Sequence, residues 1–230
     1  LGGKSPNLVF ADCGDDLEER VRASVFECFY NTGQSCDAPT RLLVERGCYD
    51  QVLEIAARAG REQAVGAPSE EGEHIGPLVS DVQFGRVQAL IEAAMFEAPR
   101  VLCGGPGKPE GFETGYYVRP TIFADVSNDM KIAREEVFGP VLAIIPFDTE
   151  EEAIRIANDS PYGLAAYIQT GDPERAERVA ARLRAGAVHI NGGGFEYGTP
   201  FGGYKQSGNG REGGMLGLED FQEVKTLHFG

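Results

Sequence analysis

Apolar residues recur every three or four positions from Leu17 to Phe29, at 17, 21, 25, 28 and 29, which predicts a helix with one buried face that stops shortly before Gly33. Thr40 to Val44 is a short apolar run and reads as a buried strand, followed by an amphipathic helix from about Tyr49 to Arg61. A further stripe of Val87, Leu90, Ile91 and Ala94 predicts a helix opening at Asp81, with that aspartate as its N-cap. Arg100 to Cys103 reads as a strand. Beyond a Gly/Pro-rich loop at 104 to 115, Tyr117 to Phe123 and Val141 to Phe147 are β-branched or aromatic runs. A helix at Glu150 to Asn158, a strand at Leu164 to Gln169, a helix at Pro173 to Leu183 and a strand at Ala187 to Asn191 complete the series.

Strands alternating with helices imply right-handed crossovers, so the expected fold class is α/β: a largely parallel, twisted sheet with helices on both faces. The glycine-rich stretch 192 to 214 breaks the rhythm, and Gln222 to Phe229 reads as a last strand that returns to the sheet or leaves to pair elsewhere. Residues 1–214 are therefore expected to form one domain, with 215–230 as a tail.

Composition narrows the function. With 36 acidic and 21 basic residues, the chain of 230 carries a formal charge of -15, which argues against nucleic acid or an anionic membrane surface as partner. No apolar run reaches the ~20 residues of a membrane span and no signal peptide opens the chain, so a cytoplasmic location is expected. Five cysteines without Cys-x-x-Cys spacing predict reduced thiols, and three scattered histidines offer no metal cluster.

Among the thiols, Cys36 stands apart. It follows an apolar helix in a polar, Gly-containing loop, where a thiolate has access and backbone N–H groups can face a developing oxyanion. Cys13, Cys28, Cys48 and Cys103 lack such a setting and read as small buried side chains. Glu135 and Glu136, by themselves, read as a solvated acidic pair. Gly208-Asn-Gly210-Arg-Glu-Gly213 fits a dinucleotide fingerprint only in letters, since no strand leads into it, and Pro109 rules out a phosphate loop at Gly107-Lys108.

The stretch Asn-Thr-Gly-Gln-Ser-Cys-Asp-Ala-Pro-Thr-Arg at 31 to 41 resembles the nucleophile segment of NAD(P)-dependent aldehyde dehydrogenases. Leu-Gly-Gly-Lys-Ser-Pro-Asn at 1 to 7 resembles the segment upstream of that nucleophile. Glu-Glu-Val-Phe-Gly-Pro-Val at 135 to 141 resembles the nicotinamide-ribose segment, and Pro-Phe-Gly-Gly-Tyr-Lys-Gln-Ser-Gly at 200 to 208 the C-terminal signature. The four occur in family order.

The resemblance implies the catalytic domain of such an enzyme. Cys36 would attack an aldehyde carbon to give a thiohemiacetal and then a thioester, with NAD or NADP taking the hydride. Glu136 would accept hydrogen bonds from the nicotinamide ribose and Phe138 would pack beside the ring. Gln83 and Arg86 match positions that reach the adenosine ribose. Ser35, Asp37, Phe195 and Phe201 match the lining of the substrate tunnel, and Asn191 matches an Asn near the active site that reads equally as a turn former. A homo-oligomer, dimer or tetramer, is implied.

The family's general-base glutamate would stand immediately before Leu1, and its N-terminal cofactor-binding domain would precede that. Leu1, inside a continuous motif, accordingly reads as the start of a fragment, one expected not to turn over alone. Two alternatives stay open. One is a non-catalytic fragment that keeps the fold and the oligomer contacts, and the other is a cysteine hydrolase pairing Cys36 with His189.

Overall fold

The computed structural model describes residues 1–97 and 100–230. Its centre is a seven-stranded sheet of β1 (Pro6–Val9), β2 (Arg41–Glu45), β3 (Arg100–Cys103), β4 (Thr121–Ala124), β5 (Val141–Phe147), β6 (Ala165–Gln169) and β7 (Ala187–Ile190). Their spatial order is β3-β4-β5-β2-β1-β6-β7, and every neighbouring pair is parallel except the antiparallel edge pair β3–β4.

Side chains of a strand alternate between faces, and two cores result. Leu42 and Val44 of β2 and Leu142 and Ile144 of β5 pack against α1 (Leu17–Phe29) and α2 (Tyr49–Glu62). Leu43, Ala143, Ile145 and Phe147 face the other way, onto α3 (Asp81–Glu97), α5 (Glu150–Asn158) and α6 (Pro173–Ala180). Two short helices complete the set, α4 (Lys131–Arg134) and α7 (Gly214–Glu219). The expected α/β class, with helices on both faces, is what forms.

Several sequence expectations need correction. Strand β1 lies at the heart of the sheet, between β2 and β6, yet Pro-Asn-Leu-Val carries little strand signal: it is four residues long and opens with two poor strand formers. The run expected from Tyr117 to Phe123 pairs only from Thr121, because Pro120 has no N–H to give a ladder. The cap of α3 is Ser80, whose Oγ accepts from the Gln83 amide at 3.2 Å, while Asp81 already lies in the first turn. Helix α6 stops at Ala180, three residues short of Leu183, and β7 stops at Ile190. Residues 222–229 form no strand, so they do not return to the sheet.

Arg41 locks this scaffold. Fully buried at the start of β2, its guanidinium donates to the Lys4 carbonyl at 2.9 Å, to Asn128 Oδ1 at 2.7 Å, and to the Ile156 and Ala157 carbonyls at the end of α5 at 3.0 and 2.9 Å. A cation at a helix carboxyl end meets the negative end of its dipole. Burial, with Arg134 nearby, lowers its pKa to about 10, still cationic at neutral pH.

Candidate active site

Three segments far apart in sequence converge because β5, β2 and β1 are neighbours, spaced by ~4.8 Å per strand. Gly3 precedes β1, Cys36 precedes β2 and Glu136 precedes β5, so all three stand at the amino-terminal edge of the sheet. Open parallel sheets commonly bind ligands at the carboxyl edge, so this placement is distinctive.

The turn ahead of Cys36 is strained. Asn31, Thr32 and Gly33 take φ of 50°, 58° and 68°, three successive left-handed residues, and a β-branched threonine there is a true outlier. Hydrogen bonds hold it: Thr32 Oγ1 donates to the Gly76 carbonyl at 3.1 Å, Asn31 Nδ2 to the Gln34 carbonyl at 3.0 Å, and the Gln34 amide to the Asn31 carbonyl at 3.1 Å. Gly33 is required by space as well, since a Cβ there would stand 2.1 Å from the Gly139 carbonyl oxygen. Cys36 and Asp37 then form the centre of a turn closed by the Ala38 amide on the Ser35 carbonyl at 3.3 Å.

Cys36 is half-buried. Burial pushes its thiol pKa up and the Asp37 carboxylate pushes it further. A hydrogen bond from its own backbone N–H acts the opposite way without offsetting these two, so the net shift is opposite to that usual for a reactive cysteine. The other four thiols are raised by burial to about 11 for Cys13 and Cys103 and about 12 for Cys28 and Cys48, the inert behaviour expected of them.

Gly3 links Cys36 to Glu136. Its amide donates to Glu136 Oε1 at 3.0 Å, and a Cβ on it would lie 2.3 Å from the Cys36 carbonyl oxygen. Glu136 Oε2 has no hydrogen-bond partner among the described residues, which leaves a carboxylate oxygen able to accept from a ligand hydroxyl. Phe138 has a left-handed φ of 54°. Gln83 and Arg86, which the resemblance implies at an adenosine ribose, donate to this loop. Gln83 Nε2 reaches the Val137 and Phe138 carbonyls at 3.0 and 2.9 Å, and Arg86 Nη2 the Glu136 carbonyl at 2.9 Å.

Ser35 and Asp37 line a cavity of about 510 Å³ with Phe26, Glu27, Tyr30 and Tyr167. Phe26 and Tyr30 escaped the sequence reading, although their spacing of four and their position off the buried stripe of α1 were a usable signal. Phe195 and Phe201 are not part of that wall. Phe195 is exposed beside Tyr197, and Phe201 pairs its backbone with Glu212. The signature loop 200–208 caps the same edge through Ser207, whose Oγ donates to the Gly2 carbonyl at 2.5 Å and accepts from the Gly163 amide at 3.0 Å.

Asn191 stands at the opposite, carboxyl edge with a φ of 50°, exchanging hydrogen bonds with the Thr170 backbone at 3.0 Å, which is the turn-former role. His189 places Nδ1 2.8 Å from the Gly193 carbonyl and stacks on Tyr167 at 4.8 Å; no hydrogen bond joins it to Cys36 among the described residues. The described residues also contain no cluster of three metal-ligating side chains and no helix long and apolar enough to cross a membrane.

The class defined by this sheet and its cysteine edge is that of the aldehyde dehydrogenases. Residues 1–227 match the aldehyde dehydrogenase family, and the chain belongs to it. It is 50% identical over 227 residues to 3-succinoylsemialdehyde-pyridine dehydrogenase of a Pseudomonas species, covering 99% of this chain and 47% of that protein. Aldehyde dehydrogenase C of Pseudomonas syringae, solved as a variant with NAD+ and octanal, is 48% identical with a TM-score of 0.94, covering 98% of this chain and 46% of that one. The aldehyde dehydrogenase of Mycobacterium tuberculosis complexed with NAD+ is 46% identical, TM-score 0.92, covering 96% and 45%. The chain thus spans about half the length of these relatives.

Proposed function

We propose that this chain supplies the nucleophile and the nicotinamide-side wall of an enzyme that oxidises an aldehyde to a carboxylic acid with NAD or NADP. The observation that carries the reading is the joint placement of Cys36, Gly3 and Glu136 on one sheet edge, with Gly3 bonded to Glu136 and packed on Cys36. The Cys36 thiolate attacks the aldehyde carbon, giving a thiohemiacetal whose oxyanion the Cys36 backbone N–H helps to hold. A bound nicotinamide supplies the hydride acceptor. Glu136, with Oε2 open, accepts from the ribose hydroxyls, and Phe138 packs beside the ring. Water then hydrolyses the thioester to release the acid.

The relatives solved with NAD+ support that cofactor class. The raised thiol pKa makes for a slow nucleophile at neutral pH, and the chain alone is expected to carry out the addition step without sustained oxidation. The cavity beside Ser35 and Asp37 receives the aldehyde, with Phe26, Tyr30 and Tyr167 as apolar wall. A homo-oligomer of a soluble, cytoplasmic enzyme completes the proposal. The test is aldehyde-dependent formation of reduced dinucleotide by the protein that contains this chain, across a panel of aldehydes. Activity that vanishes in Cys36→Ala is expected; no activity with any member, or full activity in that variant, sinks the reading.

A further inference from the structure

Gln83, Arg86 and Val87 lie at i, i+3 and i+4 on α3 and so share one face. That face meets the Glu136–Gly139 loop at three successive points. Arg86 donates to the Glu136 carbonyl, Gln83 donates to both the Val137 and Phe138 carbonyls, and Val87 packs so closely on Gly139 that a Cβ there would lie 2.8 Å from its methyl. Phe138 sits between these points with φ of 54°, a conformation that is unfavourable for a non-glycine residue. Such a residue persists only where its surroundings over-determine it. Gln83 is the side chain that does so, because its single amide nitrogen bridges the carbonyl before the left-handed residue and the carbonyl of that residue itself.

We infer that Gln83 is a positioning residue: it holds the left-handed turn at Phe138 and thereby sets where the Glu136 carboxylate stands. Gly139, the loop's next residue, abuts Gly33 of the nucleophile turn, so the same brace fixes the loop against the segment leading to Cys36. Both donor hydrogens of the amide face the protein's own backbone in this state, which is the arrangement of a brace. The consequence for dinucleotide binding rests on the function proposed above; the bracing of the turn does not.

The two are separated by reading the turn without any ligand. With 13C-labelled phenylalanine, the Phe138 Cα resonance, assigned by its loss in Phe138→Leu, reports the left-handed backbone directly. Gln83→Leu removes the donor and keeps the bulk. Gln83→Glu offers acceptors to two acceptors and guards against a variant that fails to fold. In the ligand-free chain, both variants should move or broaden that resonance while the other phenylalanine signals stay in place. NAD+ titration should show about tenfold weaker binding, equivalent to about 1.4 kcal/mol. A Phe138 signal unmoved in both variants overturns the inference, and unmoved signals with weakened NAD+ binding would assign Gln83 a direct cofactor contact instead. A displaced signal with unchanged affinity would break the link from turn to carboxylate. If the parent chain binds no NAD+, the functional reading suffers and the resonance still decides the brace.

Discussion

The amide of Gly3 donates to Oε1 of Glu136 at 3.0 Å across 133 positions of sequence, and a Cβ on the same glycine would lie 2.3 Å from the Cys36 carbonyl oxygen. A side chain at position 3 cannot be housed without moving the Cys36 carbonyl. Gly3→Ala should cost about 1–3 kcal/mol in denaturant unfolding, the range for overpacking, and should change the rate of Cys36 alkylation by iodoacetamide several-fold. Unchanged stability and rate would contradict the close approach of Gly3 to Cys36.

Asp37 bears on the thiol itself. After burial it is the largest influence raising the Cys36 pKa. A raised pKa leaves less thiolate at neutral pH than a free cysteine has, so the alkylation rate should keep climbing above pH 9. Asp37→Asn should shift that rise to lower pH and speed alkylation at pH 7. A profile that is flat above pH 8, or that is unmoved in the variant, contradicts the assignment.

Lys4 is fully buried, and no protein group accepts from its Nζ among the described residues. Burial, opposed by Cys28 and reinforced by Arg41, lowers its pKa from 10.5 to about 7. The unfolded chain therefore binds more protons between these values, and this residue costs the fold progressively more as the pH falls from 10.5 to 7, with the full cost present below 7. Lys4→Met should thus gain most over the parent below pH 7, by an amount on the order of a few kcal/mol, and least above pH 10.5. A stability difference independent of pH would refute the depressed pKa.

Arg41 satisfies four acceptors at once, and its removal strands them in the interior. Arg41→Met should destabilise by about 3 kcal/mol or more in a denaturant titration. Arg41→Lys should recover little of it, since an ammonium lacks the planar fork.

How much of this was legible beforehand follows from the range of each interaction. The boundaries of α1, Leu17 and Phe29, were readable because a 3.6-residue stripe is a local signal. The central strand β1 was not, because its place in the sheet is decided by partners 35 and 160 positions away, Pro6 with Arg41 and Asn7 with Tyr167. The Gly-x-Gly-x-x-Gly stretch at 208 to 213 lacks the context of a dinucleotide fingerprint, and among the described residues no strand leads into it. Cys36 and Glu136 are proposed from motif letters. Their bridge through Gly3, the left-handed run Asn31–Gly33 and the brace from Gln83 to Phe138 depend on backbone geometry that no residue pattern states. Phe26 and Tyr30 were visible as aromatics off the buried stripe, but which cavity they walled required the fold.

The central claim, that Cys36 is the acyl-accepting nucleophile, is tested most directly by acid-quenching the protein containing this chain during reaction with an aldehyde and NAD+, then mapping its peptides by mass. The account predicts an acyl group of the substrate's mass on the Cys36 peptide, absent in Cys36→Ala together with all reduction of NAD+. Acyl label on another residue, or NAD+ reduction that survives Cys36→Ala, would contradict it.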